Sequence, residues 1–138
     1  MEASISWLGD AMFLAESGSG HTVVIDGPES EGGRNIGMRP MELMLMGVGG
    51  CASFDVMMIL RKARQPVTDC IAKIVAKRSD EIPSVFTDIH LHFIIKGDVK
   101  ESQVKRAVEL SAEKYCSASI MLGRAGVNIS YDFEVVQP

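Results

Sequence analysis

Apolar and polar residues alternate along several segments of the chain, which is the pattern of half-buried β-strands. In the clearest case, VNISYDFEVV at 127–136, every second residue from Val127 to Val135 is apolar. Similar patterns, helped by β-branched residues and a Gly-Asp turn pair, predict five further strands near 5–7, 12–14, 21–26, 70–82 and 87–95. We expect the strands at 70–82 and 87–95 to form an antiparallel pair joined around Pro83.

Helical spacing of apolar residues predicts three helices. The longest begins at Pro40, which suits the first turn of a helix, and runs toward Arg64, because Pro66 prevents it from continuing. A second helix is expected to start near Glu101 or Ser102, and a short third helix is expected around 119–122. The segment at 27–38 is rich in Gly, Pro and polar residues and is predicted to be a surface loop. Strands and helices in this order indicate the α+β fold class.

The first helix contains the most apolar segment of the chain. Residues 43–54 are uncharged, and glycines at 47, 49 and 50 either bend or break the helix or let another element pack closely against it. A membrane-spanning helix needs about 20 apolar residues, so a helix buried in protein is the better interpretation. A helix that is apolar nearly all round must be enclosed, and one small domain offers little material for this. We therefore expect a second subunit to cover it.

Composition and charge narrow the class of protein. The 138 residues fit a single domain, 1–138, and 46% of them are hydrophobic. The net charge of −4 and the absence of a basic cluster make nucleic acid and membrane surfaces unlikely partners. The N-terminus does not have the pattern of a signal peptide, and three cysteines do not form a disulfide framework. These features predict a cytoplasmic protein.

Cys51 is the main candidate for chemistry, since it follows the glycines in GVGGCASFDVMMIL at 47–60. If the glycines break the helix, Cys51 lies at a helix N-terminus, which favours a reactive thiolate. Nearby methionines and a phenylalanine either line an apolar pocket or simply fill the core, and these are Met44, Met46, Phe54, Met57 and Met58. Asp55 lies on the same helical face as Cys51, either as a buried polar group that needs a partner or as an exposed one.

Other candidate sites are weaker. His90 and His92 face the same side of a strand, a spacing that is compatible with metal binding. No cysteine or acidic residue stands near them at the spacing of a further metal ligand. We therefore interpret them as a solvated or hydrogen-bonded pair and predict no metal site. Cys70 has no activating pattern around it and is expected to be inert. The glycines at 47–50 are followed by apolar residues and do not form a phosphate-binding loop. No cofactor is predicted.

Two motifs resemble those of the OsmC/Ohr family (osmotically inducible protein C and organic hydroperoxide resistance protein). The pattern P-x-E-L-x(8)-C at 40–51 is followed by an apolar helix, and then by Glu-Lys-Tyr-Cys at 113–116. The order of strands and helices also agrees over nearly the whole chain. The segments PMELMLMGVGGC and AEKYCS are most similar to the YhfA-like branch of the family.

This resemblance implies a fold and an activity. The fold would be an intertwined homodimer in which antiparallel sheets wrap around the central Cys-bearing helices. The activity would be thiol-dependent reduction of organic hydroperoxides in oxidative stress defence, with Cys51 as the peroxidatic and Cys116 as the resolving cysteine. The resulting disulfide would be reduced by a thiol such as dihydrolipoamide. An OsmC-like dimer that binds a small apolar ligand or senses redox state, without catalysis, is the alternative.

The sequence departs from the family pattern where the thiolate is activated. Peroxidase members carry glutamate directly after the proline, whereas this chain has Met41 there and Glu42 one position later. The family arginine in the loop after the first strands is absent from ESGSGHTVV at 16–24. Arg39 and Arg34 are the nearest substitutes. Ser117 also follows the second cysteine where many members have proline.

Overall fold

The computed structural model describes all 138 residues and contains six β-strands and three α-helices. Their bounds, in chain order, are β1 Ala3–Gly9, β2 Met12–Ser17, β3 Thr22–Ile25, α1 Pro40–Lys62, β4 Val67–Arg78, β5 Phe86–Gly97, α2 Glu101–Leu110, α3 Ser117–Arg124 and β6 Asn128–Val136. The chain forms two compact units, Met1–Met44 and Leu45–Pro138. The predicted α+β class is confirmed.

The N-terminal unit is a three-stranded antiparallel sheet in the order β1-β2-β3. Its first turn uses Gly9 and Asp10, both at positive φ, as the Gly-Asp pair predicts. The segment at 27–38 is not wholly irregular, because a 3₁₀ turn forms at Glu29–Glu31. This segment folds around the buried carboxylate of Asp26, which accepts hydrogen bonds from three backbone N–H groups.

The balance of forces on Asp26 explains why a charged group is tolerated there. Burial acts to raise the pKa of Asp26, but the backbone N–H groups of Gly27, Ile36 and Arg34 and the charge of Arg39 outweigh it. The pKa is therefore held below its ordinary value. The carboxylate stays ionised and fixes the path of the chain toward α1.

Helix α1 is continuous, which rules out a break at the glycines as one of the alternatives left by the sequence. The close-packing alternative holds for Gly49, where a Cβ atom would collide with the Cδ1 atom of Ile74 on β4. Gly47 and Gly50 meet no atom of the chain that would oppose a Cβ. Because the helix does not restart, Cys51 lies in its middle and cannot gain from a helix N-terminus.

The C-terminal unit contains the second sheet, in the order β4-β5-β6. The predicted antiparallel pairing of β4 with β5 is confirmed, whereas β6 runs parallel to β5. Along β5 every second side chain is buried, namely Ile89, Leu91, Phe93 and Ile95. These residues form the centre of the core together with buried residues of α1 and α2.

The chain between α2 and α3 forms a π-helical turn that the sequence analysis does not predict. Helix α2 begins at Glu101, as expected, and passes at Ser111–Tyr115 into the wider π-helical winding. Cys116 then leaves helical geometry and becomes the N-cap of α3, which is longer than the predicted 119–122. The turn therefore brings the second candidate cysteine to the start of a helix.

Helix α1 is long and apolar enough to cross a membrane by length and composition alone. A helix in the core of a protein meets the same criterion, and residues such as Val56 and Leu60 are completely buried in the chain. Other apolar residues of α1 are exposed, above all Phe54, whose exposed fraction is 69%.

Candidate active site

The structure brings Cys51, Asp55 and Cys116 together in the C-terminal unit. Cys51 and Asp55 are one turn apart on α1, and Cys116 is the N-cap of α3. The two Sγ atoms and a carboxylate oxygen of Asp55 all lie within 4.8 Å of one another. Two thiols and a carboxyl group thus form one cluster, although the second thiol is far from the other two residues in the sequence.

Cys116 is held in place by the first turn of α3. Its sulfur accepts a hydrogen bond from the backbone N–H of Ser119 at 3.5 Å and lies 3.1 Å from the Ser119 hydroxyl. The side chain is fully buried. Burial raises the pKa of the Cys116 thiol, the two Ser119 contacts oppose this, and the nearby Cys51 sulfur adds to the increase, so the net shift is upward. Cys116 is therefore protonated at neutral pH. This is compatible with a thiol that reacts only after another cysteine has been oxidised.

The π-helical turn is fastened to α1 beside this cluster. The hydroxyl of Ser111, which is buried, donates a hydrogen bond to the backbone carbonyl of Ala52 at 3.3 Å. Ala52 directly follows Cys51. This bond connects the segment that positions Cys116 with the helix that carries Cys51.

Asp55 is half-buried, and its Oδ2 atom is shielded from solvent without a hydrogen-bond partner. Of the two alternatives left by the sequence, the structure therefore supports a buried polar group that lacks a partner. Burial raises the pKa of Asp55 above its ordinary value. An unsatisfied buried acceptor costs about 1–3 kcal/mol of folding free energy. Such atoms are rare in folded proteins, so the unpaired Oδ2 of Asp55 calls for an explanation.

A cleft of about 430 Å³ lies beside the cluster and has Asp55 in its wall. Met58, Ile59 and Leu110 give it apolar surface, and Lys62 and Arg106 add two cations. Tyr115, which precedes Cys116, also lines it. Of these residues the sequence points only to Asp55 and Met58, because Lys62 and Arg106 belong to no motif and follow the ordinary pattern of helix-surface charges.

Cys70 lies on β4, outside the cluster. It shares a shallow depression with Phe54, Met57 and Met58, three of the residues considered above as pocket residues. Burial raises the pKa of the Cys70 thiol, and the adjacent Asp69 adds to the effect. Both influences favour the unreactive thiol form.

Arg39 and Glu42 have a clear structural role in the N-terminal unit. The backbone N–H of Arg39 donates to Oε1 of Glu42 at 2.9 Å, which is half of a capping box at the start of α1. The Arg39 guanidinium donates to the Asn35 side chain and to the Gly37 carbonyl. Arg34 forms an exposed ion pair with Asp10 at 3.1 Å.

The two histidines are hydrogen-bonded on the exposed face of β5. His90 contacts Ser130 and Asp132, and His92 contacts Asp132 and Glu134, all on β6. The interpretation of the histidines as a hydrogen-bonded pair is confirmed, but the expectation that no acidic partner lies beside them is wrong. The parallel register of β6, which sequence spacing does not reveal, supplies these carboxylates.

Comparison with known proteins decides the family. The family model described as OsmC-like protein matches residues 31–132. The chain belongs to the OsmC family. It is 47% identical to Protein YhfA of Escherichia coli K12 over 99% of this chain and 98% of that protein. The resemblance to the YhfA-like branch is thereby confirmed.

Solved structures agree with this assignment of the fold. A hypothetical protein from Aquifex aeolicus VF5 is 31% identical with a TM-score of 0.87, covering 99% of this chain and 96% of that one. An organic hydroperoxide resistance protein OsmC from Legionella pneumophila has a TM-score of 0.73 at 18% identity, covering 97% and 96%. At that identity the second likeness supports the OsmC-like fold alone.

Proposed function

We propose that this OsmC-family protein is a thiol-dependent hydroperoxide reductase in which Cys51 is the peroxidatic and Cys116 the resolving cysteine. One observation carries the proposal: two cysteines far apart in sequence have sulfur atoms within 4.8 Å of each other. A disulfide requires closely placed sulfurs, so only small movements are needed to join these two. Cys70 lies outside the cluster of Cys51, Asp55 and Cys116.

The reaction proceeds in balanced steps. The Cys51 thiolate attacks the terminal oxygen of the hydroperoxide, so that an S–O bond forms as the O–O bond breaks, and the alkoxide takes a proton and leaves as an alcohol. Cys51 is then a sulfenic acid, and the Cys116 thiol condenses with it to give a disulfide and water. A dithiol such as dihydrolipoamide reduces the disulfide and restores both thiols.

Activation of Cys51 must come from a cation, because no helix N-terminus is available to it. Arg39 and Arg34 are the substitutes that the sequence offers, although neither occupies the family's arginine position, and a role for Arg39 with Glu42 stays a prediction. We expect Arg39→Ala to slow the first oxidation step without preventing disulfide formation once Cys51 is oxidised. An Arg34→Ala variant serves as the control, since its guanidinium is paired with exposed Asp10.

The cleft beside Asp55 suits an organic substrate. Its apolar surface from Met58, Ile59 and Leu110 favours an organic hydroperoxide over hydrogen peroxide, because only the former buries apolar surface on binding. We therefore expect faster reduction of tert-butyl hydroperoxide than of hydrogen peroxide.

A second copy of this chain is proposed as the partner that covers α1. Phe54 is 69% exposed, Met46 46% and Met58 38% in the single chain, all on this one apolar helix. A run of large exposed hydrophobic side chains favours association. Sedimentation of the protein is expected to show a dimer, and a folded monomer at micromolar concentration contradicts this.

The decisive experiment is a stoichiometric oxidation. Reduced protein receives one equivalent of tert-butyl hydroperoxide and is analysed by mass spectrometry after alkylation under non-reducing conditions. We expect a Cys51–Cys116 disulfide, a trapped sulfenic acid at Cys51 in Cys116→Ser, and no reaction in Cys51→Ser. Cys70→Ser is the matched control and must behave as wild type.

Two results contradict the proposal. Oxidation of Cys70 with Cys51 unmodified removes the basis for a peroxidatic role. Complete inertness of both clustered thiols favours the alternative, a non-enzymatic OsmC-like dimer that binds a small apolar ligand in the cleft.

A further inference from the structure

We propose that the reduced cysteine cluster is also a binding site for a thiophilic divalent cation, with zinc(II) as the best fit. The ligands are the two sulfurs of Cys51 and Cys116 and one carboxylate oxygen of Asp55. The spacing of residues in the sequence predicts no metal site here, because Cys116 meets Cys51 and Asp55 only in the folded chain. Metal binding does not depend on peroxide chemistry, so the inference goes beyond the proposed function.

The geometry of the cluster is close to what a tetrahedral ion requires. Zinc–sulfur bonds of about 2.3 Å and zinc–oxygen bonds of about 2.0–2.2 Å place tetrahedral ligand atoms roughly 3.4–3.8 Å apart. The three donor atoms here lie within 4.8 Å of one another without an ion. Rotation of side chains by small amounts therefore closes the set around a metal.

Two of the three ligands are held on rigid backbone. Cys51 and Asp55 are one turn apart on the continuous helix α1, so both side chains project from the same face. Cys116 is fixed by the backbone N–H and hydroxyl of Ser119, and these contacts also steady a coordinating thiolate.

The chemistry of the donor set selects the cation. Two sulfur ligands and one oxygen favour zinc over magnesium or calcium, which prefer oxygen ligands alone. The ion displaces one proton from each thiol to solvent and gives the partnerless Oδ2 of Asp55 a positive partner. Three protein ligands leave a fourth position for water, as in zinc sites that are not purely structural.

Metal binding and disulfide formation compete for the same sulfurs. A Cys51–Cys116 disulfide has no thiolate to offer, so oxidation should release the ion. Bound zinc withdraws electron density from the Cys51 sulfur and makes it a weaker nucleophile, so it should protect the thiol from oxidation by a peroxide. Zinc thus holds the cluster in its reduced, resting form.

The test is a zinc titration of the reduced full-length protein, freed of metal by a chelator and handled without oxygen. Zinc(II) is added in competition with a chromogenic chelator, and cobalt(II) serves as a spectroscopic probe whose thiolate charge-transfer absorption reports sulfur ligation. We expect one ion per chain, and at least about a tenfold loss of affinity in Cys51→Ser, Cys116→Ser and Asp55→Asn. Circular dichroism checks that each variant is folded.

Cys70→Ser is the matched control and should bind zinc as wild type does. The inference is overturned if wild-type protein binds no zinc, if Cys70→Ser loses as much affinity as Cys51→Ser, or if Asp55→Asn binds as tightly as wild type. The proposed function is tested separately by running its peroxide oxidation on metal-free protein with a chelator added. A protein that binds zinc but ignores hydroperoxide supports this inference and contradicts the peroxidase.

Discussion

Replacing Asp55 by leucine should raise the stability of the folded protein, although it removes the carboxylate ligand of the proposed zinc site. The Oδ2 atom of Asp55 is buried without a partner, and such an atom costs about 1–3 kcal/mol of folding free energy. Leucine removes this cost and adds apolar surface beside Met58 and Ile59 in the cleft wall. We therefore expect the free energy of unfolding of Asp55→Leu to exceed that of wild type by about 1–3 kcal/mol at neutral pH.

The gain should depend on pH in a defined direction. Because burial raises the pKa of Asp55 in the folded state, the folded protein binds a proton more tightly than the unfolded chain. The carboxyl costs least below its unfolded pKa of about 3.9, where both states are protonated. The cost grows as the pH rises through the folded pKa, so the advantage of Asp55→Leu should be larger at neutral than at acidic pH.

The assay is urea unfolding of reduced, metal-free protein at one fixed concentration, since the proposed dimer would make stability depend on concentration. Asp55→Asn is the matched control, because it keeps the shape and the unsatisfied polar atoms but cannot ionise. It should lose the pH dependence and gain less than the leucine variant. An Asp55→Leu protein that is less stable than wild type refutes the reasoning, because the carboxylate then has a favourable partner, such as a cation from a second copy.

Two further predictions concern packing and charge. Gly49→Ala should lower the free energy of unfolding by about 1 kcal/mol because its Cβ collides with Ile74, and Ile74→Val should restore part of it. Gly123→Ala, at an open position in α3, should instead raise it by about 0.5–1 kcal/mol in the same urea assay, and equal effects at both glycines contradict the packing argument. The hydrogen bond to Asp132 raises the pKa of His92, so its stabilising effect is complete below about pH 6.5 and is lost as the pH rises through the folded pKa. Thermal unfolding of His92→Gln should therefore lose this part of the pH dependence, and an unchanged profile would show that the pair contributes nothing.

The strands and helices could be predicted from the sequence where a pattern of residues has only one structural explanation. Along β6 the alternation follows directly from one covered face, and Pro40 marks the start of α1. Of the alternatives at the glycines, close packing holds and a break does not, because glycine in a helix costs only about 1 kcal/mol, which packing of Gly49 on β4 can offset. The π-helical turn was missed because its sequence, SAEKY, contains no glycine, proline or other residue that signals a change of helical winding.

The candidate site depends on contacts that are distant in sequence. The spacing of Cys51 and Asp55 places both on one helical face, but it cannot show that Asp55 is buried. The pairing of Cys51 with Cys116 came from the family resemblance, since three cysteines allow several pairs. The carboxylates beside His90 were missed for the same reason, because they depend on the register of a parallel strand.

Because of the π-helical turn at Ser111–Tyr115, the position of Cys116 depends on how many residues the turn contains as well as on which residues they are. A π-helical segment is equivalent to one residue inserted into an α-helix, and the insertion is absorbed within a single turn. Deleting one residue there would let α2 continue in normal winding and would rotate everything after it by about 100°. The sulfur would then point away from α1 although every side chain of the cluster was still present. The length of this turn therefore determines whether the two cysteines of this chain lie side by side.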